Sequence, residues 1–183
     1  MNKRSIVLTG IVAAAALARL VPHPPNVTPI AAMALFGGAC FANRKMAYLL
    51  PLAAMLLSDL VLGCTRYGLW SMLAIQPVVY ACFLATTALG QLIKDRRSVW
   101  QVGAATVASS VLFFLVTNLA VWATGRLYPL TGSGLVACYV AGIPFFGNNF
   151  LGDVGFTLIL FGGLELLENR VAWMRDGDAP VTA

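Results

Sequence analysis

The sequence predicts an all-α membrane protein: a six-transmembrane-helix bundle with a long outer segment between the fifth and sixth helices. Three observations predict it. Of 183 residues, 60% are hydrophobic and only 10% charged, whereas a soluble domain carries about a quarter charged residues. The apolar residues come in runs near the ~20 residues that a membrane crossing requires. The Lys and Arg residues cluster between those runs, as they do in cytoplasmic loops. A mean hydropathy of +0.83 points the same way, and the length suits one membrane domain.

The first predicted span covers residues 5–21 and stops at Pro22-His23-Pro24-Pro25, which cannot continue a helix. The second covers 28–42 and closes at Asn43-Arg44-Lys45. The third covers 46–63. The fourth covers 70–93, with a kink expected at Pro77, and ends at Lys94-Asp95-Arg96-Arg97. The fifth covers 100–124. An outer segment follows over 125–152, rich in Gly, Pro and Asn, with a short helix or re-entrant piece near 135–146. The sixth span covers 153–168, and residues 169–183 form a cytoplasmic tail.

The charges set the orientation. With both termini inside, Lys3, Arg4, Arg44, Lys45, Lys94, Arg96, Arg97, Arg170 and Arg175 are cytoplasmic, and Arg19, Arg66 and Arg126 are outside. That is the asymmetry of a multi-pass inner-membrane protein. The start, Met1-Asn2-Lys3-Arg4 before an apolar run ending Ala16-Leu17-Ala18, also reads as a signal peptide. Its cleavage would leave five spans with the same orientation.

The scarce polar residues gather toward the outer face. Asp59, Asn118, Trp122, Tyr128, Asn148, Asn149 and Asp153 are the candidate substrate-binding residues. Charged groups within a span cost about 2.5–3.5 kcal/mol each, so they pair, face a cavity or touch a ligand. Arg19 and Asp59 are the candidate ion pair, either structural or part of the pocket. His23 reads as a loop residue, and Trp122 and Tyr128 also suit interfacial anchors. The inner halves of the helices read as mostly Ala, Leu and Val, with little sign of a polar path to the cytoplasm. Gly10, Ala14 and Ala18 give the first helix a small-residue face, which suits close helix packing, internal or with another subunit.

Several classes are excluded or disfavoured. There is no GxxxxGK[ST] loop for ATP, and no HExxH, GxSxG or nucleophile–base pair, so an enzyme is not expected. Glu165 and Glu168 read as an interface pair. Four cysteines without CxxC spacing and a single His argue against a metal, and no cofactor is expected. The cysteines read as packing residues, although Cys64 and Cys138 both fall outside and could pair. No basic stripe suggests nucleic acid.

The run from Arg19 to Gly38, RLVPHPPNVTPIAAMALFGG, resembles an uncharacterised bacterial family of membrane proteins (DUF6580-like) described only by a transport role. So do Ser58-Asp59, Trp122 with Tyr128-Pro129, Cys138-Tyr139, Ile143-Pro144-Phe145-Phe146 with Asn148, and Gly152-Asp153. The match covers roughly residues 10 to 165. That family in turn resembles the substrate-binding S components of energy-coupling factor (ECF) transporters. The resemblance implies a substrate-binding membrane subunit that takes up a small vitamin-like solute. Its partners would be membrane lipid, a coupling subunit docked on Gly10, Ala14 and Ala18, and two ATPases. The ligand would lie beneath the outer segment. A self-sufficient small transporter or channel, and a non-transport membrane subunit, are the alternatives.

Overall fold

The computed structural model describes residues 2–22, 24–67, 75–95 and 97–175, and among these every regular element is helical. His23, residues 70–74 of the fourth predicted span, Arg96 and the tail beyond 175 lie outside the described residues. Six main helices follow in order: α1 (Lys3–Ala18), α2 (Ile30–Cys40), α3 (Arg44–Leu62), α4 (Gln76–Leu92), α5 (Val99–Ala123) and α6 (Gly132–Arg170). A π-helical stretch, Gly63–Tyr67, prolongs α3, and the single turn α7 (Ala172–Arg175) follows α6.

Short polar side chains fix where these helices begin. Asn2 accepts the Ser5 amide, and Asn43 accepts those of Lys45 and Met46. Ser98 accepts the Gln101 amide, and Thr131 that of Gly134. Each satisfies a donor that the first helical turn leaves open. Asn26 and Gly125 take positive φ, 65° and 63°, in the turns before α2 and after α5. The expected kink at Pro77 is absent. Pro77 is the second residue of α4, where no backbone N–H is required and its fixed φ favours helix initiation.

The helices alternate in direction. At one end the start of α1 meets the ends of α2 and α6. There Arg4 donates to the Cys40 carbonyl at 3.2 Å, to the Met174 carbonyl at 3.1 Å and to Glu168 at 2.9 Å. Arg97 reaches the same Glu168 at 3.6 Å, and Lys94 donates to the Ala42 carbonyl. Lys3, Arg44, Lys45 and Arg170 lie at helix termini of this same end. At the other end Arg19 closes α1 beside the end of α3 and the start of α4.

At the centre is α2, where every residue from Ala31 to Phe41 is buried. A helix apolar on all sides must be enclosed on all sides, and α1, α3, α4, α5 and α6 all pack on it. Glycines permit that approach. A Cβ on Gly38 would lie 2.1 Å from the Thr87 carbonyl oxygen, and one on Gly90 2.4 Å from that of Leu35. Gly37 makes room for the Pro51 ring inside α3.

Among the described residues three helices are long and apolar enough to cross a membrane: Arg44–Thr65, Val99–Ala123 and Gly132–Arg170, of 22, 25 and 39 residues. The helices α1, α2 and α4 are shorter, at 16, 11 and 17 residues.

The largest departure from the sequence reading is α6. The predicted outer segment 125–152, with its separate piece near 135–146, is not a segment apart from the last helix. Beyond residue 131 it is one continuous helix with it, ~58 Å long at 1.5 Å per residue. Three of its glycines are packing contacts. Gly134 meets Pro129, Gly142 meets Asn118, and Gly152 meets Val27 and Thr28. Pro144 costs the helix one backbone hydrogen bond, but does not end it.

The α2–α4 crossing gives a direct test. Gly38→Ala and Gly90→Ala should each lower the thermal midpoint in detergent, at a cost of about 1–3 kcal/mol. Gly103→Ala, with open space around it, should be neutral or slightly stabilising. Equal effects at the three positions would contradict the close crossing.

Candidate functional site

The predicted site residues do not meet in one outer pocket. They divide among two polar clusters and three isolated contacts.

The first cluster joins α1, α3 and α4. Arg19, 5% exposed, and Asp59, 6% exposed, form an ion pair at 2.5 Å. Arg19 also donates to the Ser58 hydroxyl and, at 3.4 Å, to the Met55 carbonyl. The second Asp59 oxygen accepts from Gln76 and, at 2.8 Å, from the Tyr80 hydroxyl. The buried guanidinium Nε of Arg19 has no partner among the described residues. The bonds of this cluster tie the end of α1 to α3 and α4.

The second cluster lies in the seam between α5 and α6. Asp153 is 1% exposed. Its Oδ2 lies 2.6 Å from the Ser110 hydroxyl and accepts from Asn149 Nδ2 at 2.9 Å. One helical turn away, the hydroxyls of Thr106 and Thr157 are 3.3 Å apart. Ser109 and Ser110 both bond back to the Thr106 carbonyl. Such back-bonds are a normal way for a helix to satisfy buried hydroxyls.

The remaining candidates are separate. Asn118 donates within its own helix to the Phe114 carbonyl, and its backbone carbonyl receives the Cys138 thiol at 3.4 Å. The Trp122 indole donates to the Pro129 carbonyl at 3.0 Å, bracing the turn into α6. Tyr128 is half-buried in that turn. Asn148 donates to the Pro25 carbonyl, tying α6 to the loop before α2. The Phe114–Phe146 and Phe114–Tyr139 ring pairs, 5.0 and 5.7 Å between centroids, join α5 to α6. All four cysteines are free, so Cys64 and Cys138 are not bridged. Glu168 joins Arg4 and Arg97, while Glu165 lies elsewhere on the helix surface.

A groove of about 860 Å³ lies at the opposite end from the predicted pocket. It opens where the start of α5 and the end of α6 diverge. Val102, Val107, Leu158 and Phe161 are among its apolar walls, and Gly103 and Gly162 leave it wide. Thr106 and Thr157 line it together with Val107 and Val154, and Lys94, Arg97, Glu165 and Glu168 line it nearer the helix termini. Trp100, 89% exposed, stands at the mouth. Its volume falls within the ~300–1,000 Å³ of small-molecule pockets, and its mostly apolar wall with a few convergent polar groups is usual for them.

The sequence reading passed over Thr106, Ser109, Ser110 and Thr157, and held the inner halves to be nearly featureless. The signal was present. Thr106, Ser109 and Ser110 are spaced i, i+3, i+4, and Asp153 and Thr157 i, i+4, which puts each set on one helix face. Among the described residues no cluster of His, Cys, Asp and Glu could hold a metal ion.

The fold and the buried polar seam define a class: an all-helical protein with helices able to cross a membrane and a cavity between two of them. Residues 1–175 match a family of unknown function, DUF6580, and the chain belongs to that family. Comparison with curated proteins and with solved structures gives no match.

The two clusters differ in a measurable way. Asp59→Leu alone should destabilise the fold by about 3–5 kcal/mol, since it leaves the buried Arg19 charge uncompensated. Arg19→Met with Asp59→Leu should recover most of that loss in thermal unfolding. Additive losses would show that the two side chains are not coupled.

Proposed function

We propose that the chain is a multi-pass inner-membrane subunit that binds a small organic solute for uptake, with the solute in the α5–α6 groove. The observation that carries this reading is the join between groove and seam. The wall of a mostly apolar cavity of about 860 Å³ includes two hydroxyls, and a sequestered carboxyl lies one helical turn from them. An apolar wall with hydroxyl and amide groups at one end suits a neutral or zwitterionic vitamin-like molecule.

The orientation follows from charge. Lys3, Arg4, Arg44, Lys45, Lys94, Arg97 and Arg170 share the end at which the groove opens, and cytoplasmic ends carry that excess. All six main helices then cross or enter the bilayer. The shorter α1, α2 and α4 are completed by flanking turns, and the buried α2 needs no lipid contact of its own. The groove faces the cytoplasm in this orientation, on the release side of an uptake protein.

The energy source divides two readings. An ATP-driven coupling subunit, as in transporters with an S component, is supported by α1. Gly10 and Ala14 are exposed there, with nothing within 4 Å of a Cβ on Gly10. A self-sufficient transporter is supported by the polar seam itself, which carries hydroxyls from the groove into the middle of the bundle.

Gly103→Trp, which fills the groove from an open position, and the double change Thr106→Val with Thr157→Val should each remove a co-purifying small molecule. The loss should be at least about ten-fold by mass spectrometry of the detergent-solubilised protein, since a ligand left against unmatched contacts loses about 1.4 kcal/mol per decade. Trp122→Phe should retain it. A molecule held through the groove changes but lost with Asn118→Ala and Asn148→Ala would place the site at the outer end instead. Ala14→Trp should leave binding intact and stop uptake if a coupling subunit docks on α1. Unimpaired uptake by the purified chain alone in liposomes would select the self-sufficient reading.

A further inference from the structure

Among the described residues two Asp side chains are buried, and one of them has a salt bridge. Asp59 is matched by Arg19. Asp153 is the more deeply buried of the two, and among the described residues no Lys or Arg forms a salt bridge with it. Around it, α5 presents Ser109, Ser110 and Thr106, and α6 presents Asn149 and Thr157. The loop before α2 lays Val27 and Thr28 against Gly152. The helix α2 carries no charged side chain. Glu165 is the next acid along α6, ~18 Å further by helical rise, and Glu168, Lys94 and Arg97 lie beyond it, lining the groove nearer the helix termini. Burying a carboxylate without a counter-charge costs far more than burying a neutral carboxyl.

The hydrogen bonds have room for the proton of a neutral carboxyl. Ser110 has one hydroxyl hydrogen and two acceptors in reach, the Thr106 carbonyl at 3.0 Å and Asp153 Oδ2 at 2.6 Å. With Asp153 neutral, its Oδ2–H donates to Ser110, and Ser110 donates to the Thr106 carbonyl. Asn149 still donates to the carboxyl. The neutral acid therefore uses every contact at once.

We propose that Asp153 is a proton-binding site of the α5–α6 seam, closed toward the groove by the Thr106–Thr157 contact. The carboxyl holds its proton while those two hydroxyls meet at 3.3 Å. When they part, water in the groove reaches Asp153, takes the proton as hydronium and solvates the carboxylate left behind. The reverse step reloads it. A solute in the groove that reaches Thr106 and Thr157 competes for the same two hydroxyls, so its binding and the exchange of the proton are linked. That link rests on the groove being the solute site, whereas the protonation does not.

Infrared spectroscopy of the full chain in lipid vesicles reads the proton without any solute. At neutral pH the wild type should show a protonated-carboxyl stretch that moves down in heavy water. Asp153→Asn should abolish it, and Glu165→Gln and Glu168→Gln should keep it. Ser110→Ala, which removes the acceptor, should shift the band upward. Should Asp153→Asn fail to fold, the Ser110→Ala shift decides. A wild-type spectrum with no such band at neutral pH, or one unchanged by Asp153→Asn or by Ser110→Ala, overturns the proposal. A solute bound in the groove beside an ionised Asp153 would overturn only the proton site. A protonated Asp153 with no solute in the groove would leave that site standing and overturn the proposed function.

Discussion

The enclosure of α2 is the constraint on which the rest depends. An eleven-residue helix with no polar side chain cannot face water, and ~16 Å of helix cannot cross a bilayer unaided. Its stability must come from neighbours on every side. The glycine pairs set how near those neighbours come. With Gly38 on Gly90 the backbones of α2 and α4 touch, and with Gly37 on Pro51 α3 fits the opposite flank. Small residues allow such approach where dispersion forces must replace the hydrophobic effect. Once α2 is placed, α1, α3, α4 and α6 have fixed stations around it, and α5 is left to pack mainly on α6 and α4.

That arrangement leaves polar side chains two places to go. Where three helix ends converge, Arg19 and Asp59 satisfy one another, and Ser58, Gln76 and Tyr80 complete the shell. Such a clasp holds helix ends in register. Along α5 and α6 the polar groups are hydroxyls, an amide and one carboxyl, none of which supplies a positive charge. This seam borders the groove, whose wall includes Thr106 and Thr157. One cluster is an ion pair, and the other is an acid without a salt bridge beside a cavity.

Much of this was legible in the sequence, for reasons that can be stated residue by residue. Hydropathy and capping residues locate the helices: Asn43 starts α3 just before Arg44 and Lys45, and Ser98 starts α5 just after Arg97. The polar character of Arg19, Asp59 and Asp153 marks them as unusual in any apolar run. Two features misled. Pro144, Gly147, Asn148, Asn149 and Gly152 have the composition of a loop, yet Gly142 and Gly152 are contacts and the two Asn side chains bond onward from a helix face. The buried stripe Gly134, Cys138, Gly142, Asp153, Thr157, Leu160 and Leu164 recurs at helical spacing through the supposed break. Thr106, Ser109 and Ser110 were overlooked because hydroxyls are cheap to bury in a helix and raise no alarm on a hydropathy scale. Their partner across the seam, and hence the groove, depends on the α5–α6 register, which no local pattern gives.

The account stands on one claim: the polar seam is approached from the end rich in Lys and Arg. Cysteine accessibility in native membranes measures it, with exposed Cys64 near the opposite end as an internal reference. A Gly103→Cys variant should react with a membrane-impermeant maleimide in inverted vesicles and not in intact cells, while Cys64 should do the reverse. Reaction of the residue-103 thiol from the cell exterior would contradict the account.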